Sequence, residues 1–149
     1  MVLLSNISNH DNVGAIFRNA AAFGANAVLL DAQCCSPLYR KAIRVSVGGV
    51  LTIPWAQGGS CEEISSELDR LGFQFAALSP SGKFDISGLP NTGRRALVLG
   101  SEGHGLPQPV LDRLKTYQIP MNGNFDSLNV ATASGIAMYL ASSQGRGQQ

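Results

Sequence analysis

The feature that most constrains this chain is an alternation in which short apolar runs give way repeatedly to segments whose apolar residues recur at helical spacing. Residues 2–7 read as a strand, and Val13, Ile16, Phe17, Ala20 and Phe23 then place a helix over residues 12–25. Residues 27–30 read as a second strand, 38–47 as a short helix carrying Arg40, Lys41 and Arg44, and 50–54 as a third strand that ends at Trp55. Ser60 followed by Glu63 has the form of a capping box. It opens a helix whose stripe is Ile64, Leu68 and Leu71 and which stops at Gly72. Residues 73–78, 96–99 and 117–119 complete the strands, with helices over 109–114 and 128–142 and a polar, Gly/Pro-rich connection over 79–94. The strands are apolar throughout, so both of their faces are buried. The pattern predicts an α/β domain built on a mostly parallel sheet with helices on both faces. Ligands of such sheets sit at the carboxyl ends of the strands, which directs attention to the loops after Ile7, Leu78, Leu99 and Ile119.

Composition narrows the function classes. The chain has 149 residues, 44% of them apolar and 14% charged, well under the roughly 25% charged residues of an ordinary soluble protein, so disorder is excluded over most of its length. A net charge of +1 excludes a strongly basic nucleic-acid coat, and any polyanion must be met by a local patch. Cys34 and Cys35 are adjacent and Cys61 stands apart, matching neither a disulfide framework nor a metal-binding spacing. A reducing, cytoplasmic setting and no metal are expected. No run approaches the roughly 18 continuous apolar residues of a membrane span, and the first residues lack the basic start of a signal peptide.

Three loops are chemically richer than a connection requires. The first runs from Asn12 to Asn19 and includes Arg18; six positions apart, Asn12 and Arg18 do not share a helical face, while Gly14 allows another backbone to come close. The second, Leu99-Gly100-Ser101-Glu102-Gly103-His104-Gly105-Leu106, crowds three glycines around a carboxylate and can lay a ligand against bare backbone amides. Its glycine order is neither the dinucleotide fingerprint nor a nucleophile elbow, which argues against an oxidoreductase and a serine hydrolase. The third runs from Ile119-Pro120-Met121 to Ser127-Leu128-Asn129 and into a helix rich in Ala, Ser and Gly. Taken singly, each loop also reads as ordinary structure: Asn12 as a helix cap beside a surface arginine, Glu102 on a tight turn, Ser127 as a cap.

In this order the three segments resemble the motifs of the SpoU (TrmH-like) branch of the SPOUT methyltransferases, and the resemblance covers essentially the whole chain. It implies transfer of a methyl group from S-adenosylmethionine to a ribose 2′-hydroxyl of tRNA or rRNA, a C-terminal trefoil knot that general topology rules would not suggest, and a homodimer. The alternative within the same family is a non-catalytic RNA-binding member. Carried over by motif, Asn12, Arg18, Glu102, Ser127 and Asn129 are the expected catalytic positions. The expected cofactor pocket is lined by Leu78, Leu99, Gly100, Ile119, Met121 and Leu128. Arg40, Lys41 and Arg44 are the expected RNA contacts. The resemblance makes residues 1–143 one catalytic domain, followed by a disordered tail over 144–149, without the small N-terminal RNA-binding domain such members usually carry. A guanidinium is a permanent cation and a poor base. Arg18 is therefore expected to bind an RNA phosphate or the developing alkoxide.

Overall fold

The computed structural model describes residues 1–123 and 125–143. The tail expected over 144–149 lies outside the described residues. Among the described residues seven strands form one sheet: β1 (Val2–Leu4), β2 (Val28–Leu30), β3 (Trp55–Gln57), β4 (Gln74–Leu78), β5 (Phe84–Asp85), β6 (Arg95–Leu99) and β7 (Thr116–Gln118). Every pairing is parallel, and the spatial order is β3-β2-β1-β6-β4-β7-β5. Strands β6 and β7 each enter a gap between strands laid down earlier in the chain, β6 between β1 and β4 and β7 between β4 and β5.

Helices cover both faces, as the apolar strands require. One face carries α1 (His10–Phe23), α2 (Arg40–Val45), α3 (Gly49–Thr52) and α6 (Val130–Ser143), and the other α4 (Cys61–Arg70) and α5 (Gln108–Arg113). On the first face Leu4, Ile16, Phe17 and Leu30 are completely buried. Each contributes on the order of 1.5–3 kcal/mol by leaving water. The alternation of strand side chains sends Leu3, Val98 and Ala77 to the second face, where Cys61, Leu68 and Val110 meet them.

Helix α1 is the keel of the first face. Asn9 caps it by accepting from the Asp11 and Asn12 amides at 2.8 and 3.3 Å. Gly24 ends it in the left-handed conformation at φ 71°. The sequence reading of Asn12 as the cap is thereby corrected: Asn9, three residues earlier, takes that position and Asn12 is buried inside the first turn. A side chain at Gly14 would put its Cβ 2.5 Å from the Ala42 carbonyl oxygen, so α2 can lie directly on the α1 backbone.

The capping box forms as expected. The Ser60 hydroxyl accepts from the Glu63 amide at 3.1 Å, and the Glu63 carboxylate accepts from the Ser60 amide at 2.8 Å. The strand expected over 50–54 does not form. Val47 (φ 51°) and Gly48 (φ 83°) turn the chain through the left-handed region into α3, the Ser46 hydroxyl accepts from the Val50 amide at 3.3 Å, and the strand begins only at Trp55. A short apolar run does not by periodicity distinguish strand from helix. The connection 79–94 holds two elements the pattern did not reveal, the edge strand β5 and a 3-10 turn at Ile86–Gly88.

The three cysteines are free. Burial pushes the Cys34 thiol up from an ordinary value near 9 to about 12. It pushes Cys61 to about 11.

Two outcomes are expected. Gly14→Ala gains about 1 kcal/mol in helix propensity but meets a backbone oxygen that cannot swing away, and overpacking of this kind costs about 1–3 kcal/mol or more. Urea unfolding should therefore show a net loss; a more stable variant would refute the contact. Above pH 9 an unfolded chain releases thiol protons that the folded chain keeps at Cys34 and Cys61. Stability should therefore fall as pH rises past about 9, and alkylation at pH 8 should spare both thiols until the protein is unfolded. Fast labelling of the folded protein at either position would contradict the burial.

Candidate functional site

A cavity of about 360 Å³ opens at the carboxyl ends of β4, β6 and β7. Its walls come from four segments, 78–81, 99–106, 117–121 and 127–133, together with Leu111 of α5. Leu78, Leu99, Gly100, Ile119, Met121 and Leu128 all line it, together with Glu102 and Ser127. The glycine-rich loop owes its shape to contacts only glycine permits. A Cβ on Gly100 would sit 2.3 Å from the Gly105 carbonyl carbon, and Gly105 (φ 65°) donates its amide to the Ser101 carbonyl at 2.8 Å. The loop doubles back on itself and presents Glu102 on its outer turn.

One carboxamide joins the three motifs. Asn129 Oδ1 accepts from the Ala131 and Thr132 amides at 2.9 and 3.2 Å and so caps α6. Its Nδ2 donates to Glu102 Oε1 at 2.6 Å and to Asn12 Oδ1 at 3.1 Å. Both protons of the amide and both acceptor positions of its oxygen are engaged, which fixes the orientation of the group. The alternative reading of Ser127 as the helix cap is corrected by this arrangement. Asn129 fills that position, and Ser127 keeps an exposed hydroxyl in the cavity wall with no partner among the described residues.

The remaining predicted residues stand outside the cavity. Arg18 lies on α1 about 9 Å along the axis from Asn12 at 1.5 Å per residue. It is exposed and, among the described residues, makes no hydrogen bond or ion pair. Arg40, Lys41 and Arg44 are exposed on α2 across from α1. Lys41 pairs with Asp11 at 2.9 Å. Helices α1 and α6 are locked together by Asn19, whose Nδ2 donates to the Ala131 carbonyl and the Ser134 hydroxyl, each at 2.9 Å. That fixes the distance between the first and third motifs.

Two groups escaped the sequence reading. Asp31, 4% exposed, accepts from the Ser5 hydroxyl at 2.8 Å, from the Asn6 amide at 3.0 and 3.1 Å, and from the Gln33 amide at 3.1 Å. It pins Asn6 at φ 54° and thereby sets how the chain leaves β1 for α1. An acidic residue directly after an apolar strand was the available signal. Tyr117, 1% exposed, borders the cavity, and its phenol oxygen is the buried side-chain polar atom lacking a partner among the described residues.

The cavity has the volume of a small-molecule site. Its walls are mainly apolar side chains and glycine-loop backbone, with the Glu102 carboxylate, His104 and several serines, and neither Lys nor Arg, among the lining residues. That donor set suits an aromatic ring held between Leu, Ile and Met, its edge on backbone groups, and a positive charge rather than a phosphate. Among the described residues no helix is long and apolar enough to cross a membrane.

The chain is similar to known proteins over nearly its whole length. An uncharacterized tRNA/rRNA methyltransferase of Mycobacterium bovis is 38% identical over 147 residues, which cover 93% of this chain and 50% of that protein. Another, from Synechocystis, is 34% identical over 145 residues, 96% of this chain and 53% of that protein. The chain thus spans about half the length of the curated relatives it matches. Among solved structures, one that gives insights into the 2-OH methylation of C/U34 on tRNA superposes with a TM-score of 0.89 at 29% identity, covering 99% of this chain and 96% of that one. The SpoU methyltransferase AviRb of Streptomyces viridochromogenes, in complex with the cofactor AdoMet, superposes with a TM-score of 0.88 at 27% identity over 96% of this chain and 59% of that one. The SpoU rRNA Methylase family matches residues 1–139, and the chain belongs to it.

Proposed function

We propose that this chain transfers a methyl group from S-adenosylmethionine to a ribose 2′-hydroxyl of tRNA or rRNA. The observation that carries the reading is the Asn129 carboxamide, which ties Asn12 and Glu102 together at the rim of the cavity lined by Leu78, Leu99, Gly100, Ile119, Met121 and Leu128. Bound there, S-adenosylmethionine supplies an electrophilic methyl on a sulfonium. The apolar walls hold the adenine, and backbone groups of the glycine loop read its edge. Asn129, whose amide also donates to Asn12, holds the Glu102 side chain, and with it the loop, in one position. Ser127 offers a free hydroxyl to the incoming sugar. Fixing two reactants in line supplies much of a barrier of this kind.

Arg18 is the RNA-side residue in this reading. Its permanent charge binds a phosphate or stabilises the developing alkoxide, while a phosphate oxygen or a water takes the proton. In one copy of the chain Arg18 does not line the cavity, which supports a homodimer whose site is completed at the subunit contact. The exposed rings of Phe125 (78%) and Tyr139 (57%), the latter edge-on to Phe23 at 5.9 Å, support a contact through α1 and α6. The strand order, with β6 and β7 entering between strands already placed, supports the trefoil knot. Arg40, Lys41 and Arg44 complete the RNA-facing surface. The free, protonated thiols suit a cytoplasmic setting.

The test is transfer of a labelled methyl group to bulk tRNA and rRNA, with nuclease mapping of the product. The wild-type dimer should give a 2′-O-methylated nucleotide. Arg18→Ala should lower transfer by a hundredfold or more, on the scale of losing one transition-state contact, with cofactor affinity within about twofold. RNA binding without transfer would replace the proposal with a non-catalytic role, and loss of cofactor binding in Arg18→Ala would make that arginine part of the cavity.

A further inference from the structure

The first turn of α1 makes three successive side-chain contacts, and the function above uses only the last. Asn12 reaches Asn129, Asp11 reaches Lys41 at 2.9 Å, and the His10 ring lies against Tyr39 with centroids 4.2 Å apart and planes inclined by 33°. Tyr39 is 57% exposed, a poor position for a ring whose only duty is packing. It precedes α2 without capping it. The guanidiniums of Arg40 and Arg44 on the following helix are exposed and have no partner among the described residues. Three basic side chains, Arg40, Lys41 and Arg44, thus follow Tyr39 on α2, of which Lys41 is paired with Asp11, on a chain whose total charge is +1.

The pair also has a defined place relative to the cavity. His10 follows β1 and Tyr39 follows β2, whereas Glu102 follows β6, and these strands lie side by side in the order β2-β1-β6. All three therefore stand in connections that leave the carboxyl edge of the same parallel sheet, the edge at which the cavity opens.

We propose that the His10–Tyr39 pair is a stacking platform for an unpaired nucleobase next to the nucleotide whose ribose is modified, with Arg40 and Arg44 on the flanking phosphates. The inference rests on the RNA methyltransferase reading and deepens it. An exposed ring accepts only a base released from its own helix, so the substrate is single-stranded or looped at this position and not a continuous duplex. Stacking fixes the neighbouring base and leaves the target ribose free to turn toward the cavity. The positive corner draws the strand in, and the ring sets its register.

The experiment uses the full chain and two probes: a ten-nucleotide single-stranded RNA containing 2-aminopurine, and the same RNA annealed to its complement. Wild type should prefer the single strand and quench the 2-aminopurine. Tyr39→Ala should weaken single-strand binding by about fivefold to a hundredfold and abolish the quenching, with the salt dependence and cofactor affinity unchanged. Tyr39→Phe should retain both affinity and quenching. Arg40→Ala and Arg44→Ala should each reduce the slope of log affinity against log salt by about 0.7. Equal affinity and quenching in Tyr39→Ala would overturn the platform while leaving the methyltransferase reading intact. So would equal binding of the duplex, or dissociation of the dimer in Tyr39→Ala at unchanged affinity, which would assign the ring to the subunit contact. A wild-type protein that binds neither probe and methylates no RNA would overturn the functional reading itself.

Discussion

The architecture of this site depends on a single carboxamide that has no freedom left. Asn129 must turn its oxygen toward the start of α6 to cap it, which leaves its two protons facing away from the helix. Those protons meet Glu102 from the glycine loop after β6 and Asn12 from the first turn of α1. A helix cap is a local matter of about 1 kcal/mol. Here the same group sets the relation between three chain segments that are more than a hundred residues apart at their extremes. The Asn19 contacts to Ala131 and Ser134 and the glycine-to-backbone approach of α2 at Gly14 hold α1 and α6 where this bond is possible.

Much of the fold was legible because each step had a local physical cause. Continuously apolar strands require cover on both faces, and the structure supplies α1, α2, α3 and α6 on one side and α4 and α5 on the other. The Ser60–Glu63 box formed because its two hydrogen bonds depend only on residues three apart. Residues 50–54 were misread because the preference of Val and Ile for strands was overridden by a left-handed turn at Val47 and Gly48, a tertiary feature that no window of sequence displays. Asn9 and Asn12 are equally good caps by composition. Asn9 serves, while the Asn12 carboxamide accepts from Asn129.

The site was legible in a different way. Its wall residues and the Asn12, Glu102 and Asn129 positions came from a resemblance, and the geometry then supplies the reason those residue types occur together. Features without a motif stayed hidden. The Asp31 nest rests on backbone amides that any residue could offer, and the His10–Tyr39 pair joins the first turn of α1 to the residue before α2, with the rest of α1 and β2 between them in sequence. Both lie at the same carboxyl edge of the sheet as the cavity, where parallel architecture gathers loop residues. Arg18 stands exposed on α1 and is not among the residues that line the cavity, so its proposed role rests on the motif and not on this geometry.

The central claim is that Asn129 physically couples the motifs, and a double-mutant cycle measures that directly. Unfolding free energies of wild type, Asn129→Ala, Glu102→Ala and the double variant, taken in urea without ligand, give the interaction between the two side chains. A charge-assisted contact at 2.6 Å on an exposed rim should yield a coupling of about 0.5–1.5 kcal/mol. A matching cycle with Asn12→Ala should also be non-additive, because Asn12 shares the same amide. Additivity in both cycles would show that the three motifs are neighbours without being joined and would contradict the account.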